Sequence, residues 1–274
     1  VFLGTGLAFG REEFRLLPAL AALLGALLIQ VGTNLANDYY DFVRGGDNDE
    51  RVGPERVTQS GVFKPPTVRN AAYMVLGLAL VLGIYLVGIG GLPILLIGVA
   101  SLICAIAYTG GPYPLAYHGL GDLFVFVFFG LVAVGGTYWV QALSFGPEVL
   151  WAGVGMGCLA TAILVVNNLR DIRTDARAGK RTLAVRIGHV GTKVEFVLLL
   201  MLASLVPIFG VRWFEWSWWT LLSLVTLWLL RAPLRAVASF SSASDPAVLI
   251  PPLGATARAA GLYGVLLGAM LALG

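Results

Sequence analysis

The sequence has 274 residues, of which 58% are hydrophobic and only 12% charged, and its mean hydropathy is +0.85. A soluble domain carries about a quarter of charged residues. The composition therefore excludes a soluble globular protein. Between Arg69 and Asp122 no Asp, Glu, Lys or Arg occurs, which leaves room for two bilayer crossings at about 20 residues each.

The apolar segments are continuous rather than alternating, which favours membrane-spanning helices over a β-barrel. In chain order, we predict spans at 16–37, 71–89, 92–109, 122–143, 149–169, 194–211, 216–232 and 256–274. A short apolar stretch at 1–10 raises the count to nine, with Pro93, Pro207 and Pro233 as helix starts or kinks. The predicted fold is an all-α integral membrane bundle, a single domain over 1–274 whose first helix is truncated.

The basic residues are distributed unevenly across this topology. If the chain alternates sides, fifteen of its eighteen Lys and Arg residues lie on one side, and only Arg11, Arg15 and Arg212 lie on the other. Cytoplasmic loops carry the excess of basic residues in multi-pass proteins. We therefore expect a multi-pass protein, of a bacterial cytoplasmic membrane, whose basic side faces the cytoplasm.

Two clusters of Asn and Asp lie at the ends of predicted spans that run toward this side. The clusters contain Asn34, Asp38 and Asp41, and Asn167, Asn168, Asp171 and Asp175. Their spacing places the members of each cluster on one helical face, and both clusters contain the pattern Asn-x-x-x-Asp. An ionisable group at membrane depth costs roughly 2.5–3.5 kcal/mol. The clusters are therefore predicted to face a polar cavity.

Two opposed carboxylate faces repel one another unless a cation lies between them, and Mg²⁺ prefers oxygen ligands shared with substrate phosphates. Basic residues that suit phosphate oxygens flank both clusters. The candidates for binding a diphosphate are Arg51, Arg56, Lys64, Arg170, Lys180 and Arg181. Together, the acidic and basic residues predict a diphosphate bridged by metal.

Other interpretations remain open from the residues alone. Asp171 and Asp175, with the neighbouring Arg170, Arg173 and Arg177, are also typical of a solvated, ion-paired helix end. A pair of polar helix ends is also typical of an ion-coupled secondary transporter, although these clusters lie at helix ends and not at the bilayer midplane.

The motifs Asn37-Asp38-Tyr39-Tyr40-Asp41 and Asp171-Ile172-Arg173-Thr174-Asp175 resemble the two Asp-rich motifs of the UbiA superfamily of intramembrane prenyltransferases. Within that superfamily, segments 32–42, 51–56, 108–115 and 168–183 are similar to the 1,4-dihydroxy-2-naphthoate prenyltransferases of menaquinone biosynthesis. The resemblance implies nine helices around a central cavity that opens to the cytoplasmic side and laterally to lipid.

The resemblance also implies the reaction. A prenyl chain would pass from a polyprenyl diphosphate to 1,4-dihydroxy-2-naphthoate, with loss of pyrophosphate and CO₂, giving demethylmenaquinone. Two Mg²⁺ ions would be held by the catalytic residues Asp38, Asp41, Asp171 and Asp175, helped by Asn34, Asn37 and Asn168. The candidates for the acceptor side are Tyr108, Tyr113 and Asp122. Expected partners are both substrates and membrane lipid, with no nucleic acid; a related enzyme acting on 4-hydroxybenzoate is the alternative.

Overall fold

The computed structural model describes residues 1–46, 52–53 and 56–274, and within these ranges the chain forms helices and no strand. The principal helices are α1 Phe2–Gly10, α2 Leu16–Val43, α3 Pro65–Ala107, α4 Gly121–Ala142, α5 Pro147–Arg177, α6 Leu183–Trp213, α7 Trp218–Ser239 and α8 Pro246–Ala272. Of these, α2 to α8 are long and apolar enough to cross a membrane. The protein is therefore a multi-pass membrane protein, as its composition predicts.

Helix α3 contains two of the predicted spans. Its 43 residues would extend about 65 Å if straight, roughly twice the hydrocarbon core. Gly91 interrupts it with φ 65° and ψ −150°, a conformation that glycine adopts without steric cost. Near the start of α3, the Tyr73 hydroxyl lies 2.8 Å from the Tyr40 hydroxyl on α2. Just after its end, the Thr109 hydroxyl donates to Asn37, so both ends of α3 meet the same end of α2.

Helix α1 has nine residues, about 14 Å of helix, and is too short to cross the hydrocarbon core by itself. It nevertheless packs into the bundle, with Leu3, Leu7 and Ala8 buried. The count of nine crossings stays a prediction.

The three prolines that are predicted as helix starts or kinks occupy different positions in the helices. Pro93 follows the break at Gly91, and Pro233 lies in the first turn of the α-helical part of α7, which begins at Arg231. Pro207 lies inside α6, whose non-helical residue is Gly188 instead, with φ 70°.

The first part of α7, Trp218–Leu230, is a 3₁₀ helix and not the α-helix that its apolar pattern indicates. Thr220, Ser223 and Thr226 each donate a hydroxyl hydrogen bond to the carbonyl three residues earlier, at 2.6–2.7 Å. Side chains three residues apart are eclipsed in a 3₁₀ helix, so these buried hydroxyls form one polar stripe. The larger rise of about 2.0 Å per residue also lets a short segment cross the membrane.

The acidic clusters lie within helices and not in the loops after them. The predicted spans end at 37 and 169, whereas α2 continues to Val43 and α5 to Arg177. The last two turns of each helix therefore hold the Asp side chains in fixed directions at one end of the bundle.

Close packing between glycines brings α4 and α5 together farther along the bundle from the end that holds the Asp side chains. A methyl carbon at Gly130 would lie 2.6 Å from both the carbonyl oxygen of Gly153 and the Cα of Gly157. Only hydrogen fits at that separation, as is common where membrane helices approach closely.

We expect Gly130→Ala to lower the free energy of unfolding by about 1–3 kcal/mol, because the added methyl group must push α4 away from α5. Thermal unfolding in detergent measures this change. Gly77→Ala is the matched control, since Gly77 on α3 has no atom within 4 Å of its added carbon. Equal melting temperatures for the two variants would contradict the packing argument.

Candidate active site

A cavity of about 140 Å³ lies where the polar ends of α2 and α5 meet the start of α4. Its lining is mostly polar and comes from four regions of the chain. The lining residues are Asn37, Asp41, Arg56, Tyr108, Thr109, Ala116, Gly121, Asp122, Leu164, Asn167, Asn168, Lys180 and Thr182. The structure therefore brings members of both Asn/Asp clusters to one cavity.

Lys180 links the two clusters electrostatically. Its ammonium nitrogen lies 3.8 Å from Asp41 Oδ2 on α2 and 3.9 Å from Asp175 Oδ1 on α5. Gly179, with φ 72°, ends the helical run after α5 in the left-handed conformation that glycine favours. The N–H of Lys180 then donates to the Asp175 carbonyl at 2.8 Å. This turn carries the lysine back over the end of its own helix.

Asp41 has three polar partners at the cavity. It is 3% exposed, accepts a hydrogen bond from the Tyr117 hydroxyl at 3.0 Å and pairs with Arg56 at 3.2 Å. Lys180 is its third partner. These partners come from three other parts of the chain and fix the position of the Asp41 carboxylate at the cavity wall.

Asp38 contacts a loop instead of the cavity. Its two oxygens accept the backbone N–H groups of Val57 and Thr58, both at 3.0 Å, and the residue is 7% exposed. This carboxylate anchors the loop that carries Arg56 to the end of α2. It therefore supports the pairing of Arg56 with Asp41.

Asp171 is paired within its own helix end. Arg170 donates to both of its oxygens at 2.6 Å, and Arg170 also donates to the Asn167 side chain at 2.9 Å. Arg170 is 4% exposed and lines a second cavity, of about 280 Å³, with Arg173 and Arg177. The structure thus places Arg170 beside the first cavity and not among its lining residues.

Several predicted site residues are not brought to the first cavity. Asn34 is exposed and accepts from Gln30, while Lys64 and Arg181 are exposed at loop positions. Tyr113 is 56% exposed, with its ring stacked on His118. Arg51 lies outside the described residues.

Thr109 and Tyr117 also belong to the site, although the clusters of Asn, Asp and basic residues in the sequence do not predict them. Thr109 orients Asn37 with a hydrogen bond of 2.9 Å, and Tyr117 contacts Asp41. Both lie in the connection between α3 and α4, which has no charged residue before Asp122. The signal that points to them is the Gly-Pro-rich sequence of that connection.

Tyr108 and Asp122 form a part of the wall in which the described residues show no ion pair. A methyl carbon at Gly121 would lie 2.9 Å from the Tyr108 hydroxyl, which places that hydroxyl against the start of α4. Burial, together with the Asp122, Asp41 and Asp175 carboxylates, raises the pKa of Tyr108 above its ordinary value. Tyr108 is therefore neutral and available as a hydrogen-bond donor.

The oxygen atoms that line the cavity suit a Mg²⁺ ion that is also bound by a substrate phosphate. In the described part of the chain, no three His, Cys, Asp or Glu side chains cluster closely enough to hold an ion alone. The wall does offer carboxylate and amide oxygens from Asp41, Asn37 and Asn168, and Asp175 lies beside it through Lys180. Mg²⁺ commonly binds one or two carboxylates and completes its shell with water and substrate phosphates.

Comparison with known proteins gives a consistent result. Residues 1–250 match the UbiA prenyltransferase family. Proteins named 1,4-dihydroxy-2-naphthoate octaprenyltransferase are 40% identical over 280 residues in Mycobacterium tuberculosis, covering 100% of this chain and 91% of the relative, and 38% identical over 278 residues in Escherichia coli, covering 97% and 87%. A solved UbiA homolog from Archaeoglobus fulgidus, bound to DMAPP and Mg²⁺, shares the fold with TM-score 0.60 at 14% identity, covering 97% of this chain and 95% of that one.

We expect Asp38→Asn to loosen the loop at residues 56–60, because the amide NH₂ that replaces one carboxylate oxygen cannot accept a backbone N–H. Hydrogen exchange of that segment, measured by mass spectrometry, should accelerate about tenfold for the loss of one such bond. Asp175→Asn is the control, since Asp175 lies at the same end of the bundle but on α5, where it pairs with Lys180. Unchanged exchange in Asp38→Asn would refute the anchoring role.

Proposed function

Because the chain belongs to the UbiA prenyltransferase family, we propose that it transfers a prenyl chain from a polyprenyl diphosphate to 1,4-dihydroxy-2-naphthoate. In this reaction the carbon–oxygen bond to the diphosphate breaks, a carbon–carbon bond forms at the ring carbon that carries the carboxylate, and CO₂ leaves. The product is demethylmenaquinone in its quinol form, a precursor of menaquinone. The observation that carries this proposal is the close similarity, over nearly the whole chain, to relatives named for that reaction.

The diphosphate would bind at the Asp41–Lys180–Asp175 side of the cavity. Mg²⁺, with two ions in the full site, would be held by Asp41 and Asp175, with Asn37 and Asn168 supplying amide oxygens; bound there, it neutralises charge on the leaving pyrophosphate. Lys180 and Arg56 already lie beside these carboxylates. They would donate to phosphate oxygens and stabilise the negative charge that develops as the carbon–oxygen bond breaks.

Asp38 and Asp171 would act indirectly. Asp38 holds the loop that carries Arg56, and Asp171 with Arg170 forms an ion pair behind Asn167. We propose that both position the residues that contact the diphosphate. This assignment separates the four carboxylates of the two motifs into two that face the ligand and two that support them.

The reaction would take place on the cytoplasmic side of the membrane. The end of the bundle that contains the cavity is the end to which the basic loops belong, and the positive-inside rule assigns such loops to the cytoplasm. Water-soluble 1,4-dihydroxy-2-naphthoate would reach the cavity from that side, while the prenyl tail extends toward the lipid.

The function is tested by incubating the purified protein with Mg²⁺, a polyprenyl diphosphate and either 1,4-dihydroxy-2-naphthoate or 4-hydroxybenzoate. Mass spectrometry should find a prenylated, decarboxylated naphthoquinol or its quinone, and chelation by EDTA should abolish it. Prenylated hydroxybenzoate instead would overturn the proposed acceptor. No metal-dependent product from a folded protein would overturn the prenyltransferase function.

Asp41→Asn and Asp175→Asn should each reduce turnover by about 100-fold or more, because each removes a charge that is needed to hold metal at the leaving group. Steady-state rates of pyrophosphate release measure the loss. Glu13→Gln, at an exposed position after α1, controls for the general effect of removing a carboxylate. Normal turnover in either Asp variant would rule out its role at the metal.

A further inference from the structure

The charged residues that line the cavity differ in whether they are paired. Arg56 and Lys180 contact Asp41. By contrast, Asp122 at the start of α4 is 6% exposed and has no ion pair within the described residues, and its Oδ2 atom is buried without a hydrogen-bond partner there. A buried acceptor that lacks a donor is costly, so an oxygen of this kind in a cavity wall indicates a ligand that supplies the donor.

The surroundings of Asp122 restrict the chemistry of that ligand. The carboxyl group of Glu195 on α6 is near enough to repel that of Asp122. The uncharged Tyr108, Asn167 and Asn168 line the same cavity. The Asp122 carboxyl group itself accepts hydrogen bonds and repels anions. It suits a hydroxyl group and does not suit a carboxylate or a phosphate.

Resting on the proposed function, we propose that Asp122 binds the 4-hydroxyl group of 1,4-dihydroxy-2-naphthoate and thereby orients the acceptor. The acceptor has its carboxylate at carbon 2 and hydroxyl groups at carbons 1 and 4, so the 4-hydroxyl is the one farther from the carboxylate. Asp122 accepts a hydrogen bond from this hydroxyl. Because Asp122 repels anions, it turns the carboxylate-bearing carbon away from itself, toward the rest of the cavity.

The test compares two acceptors on two forms of the protein. Binding of 1,4-dihydroxy-2-naphthoate and of 1-hydroxy-2-naphthoate, which lacks the 4-hydroxyl, is measured by isothermal titration calorimetry with Mg²⁺ and inorganic pyrophosphate present, so that no turnover occurs. For the unchanged protein, loss of the 4-hydroxyl should weaken binding by about tenfold, as for a hydrogen bond to a charged group. For Asp122→Ala the two acceptors should bind equally, within about twofold.

Two further variants keep the test decisive. Asp122→Asn preserves the shape of the side chain and should reduce the discrimination to about threefold, because neutral hydrogen bonds are about half as strong. Glu195→Gln removes the neighbouring carboxyl, which does not line the cavity, and should keep the tenfold discrimination. Each variant is first checked for unchanged binding of pyrophosphate with Mg²⁺, a readout of the proposed diphosphate site.

Three results would overturn the proposal. Equal binding of the two acceptors by the unchanged protein, or tenfold discrimination retained in Asp122→Ala, would remove Asp122 from the acceptor site and leave the proposed function intact. If the unchanged protein turns over 4-hydroxybenzoate and binds neither naphthoate, the proposed acceptor and the orientation by Asp122 fall together.

Discussion

Carboxylates at the ends of membrane helices must be neutralised, and in this protein Lys180 does so for two helices at once. The distances of 3.8 and 3.9 Å to Asp41 and Asp175 are those of ion pairs without close hydrogen bonds. Such pairs hold the two ends together by charge more than by geometry. The ammonium group can therefore turn from carboxylate to phosphate oxygen without the loss of a short hydrogen bond, which suits a site that must admit a charged ligand.

The four acidic residues of the two motifs show how neighbours determine the role of a side chain. Asp38 has its oxygens on backbone amides, and Asp171 is paired by Arg170. Both are hydrogen-bonded in a specific geometry and stiffen the site. Asp41 and Asp175 instead form longer ion pairs, of 3.2–3.9 Å, with Arg56 and Lys180. A rigid support with adaptable groups in front of it is the arrangement that a preformed binding site requires.

Much of the fold follows from sequence because the bilayer imposes a strong constraint: apolar segments of sufficient length must form helices. The two Asn/Asp clusters and the cavity between them follow from helical periodicity and from the energetic cost of charge in a membrane. Contacts made through loops could not be predicted in this way. Asp38 lies on the face of α2 that contains Asp41, yet its carboxylate contacts the 56–60 loop and not the cavity. Periodicity gives the direction of a side chain but not the chain segment that it meets.

The connection between α3 and α4 is a second place where the sequence does not predict the contacts that a loop makes. It contains no charged residue before Asp122, and its Gly and Pro residues predict only turns. The break at Gly91 folds α3 back on itself, so that this connection returns to the end of α2, where Thr109 meets Asn37. The same return places Tyr108 and Asp122 in the lining of the cavity that also contains Lys180 and Arg56. A single glycine conformation thus brings together, in one cavity, two cations paired with Asp41 and a carboxylate that has no ion pair among the described residues. Turn-forming residues alone predict a change of chain direction but not this meeting of side chains.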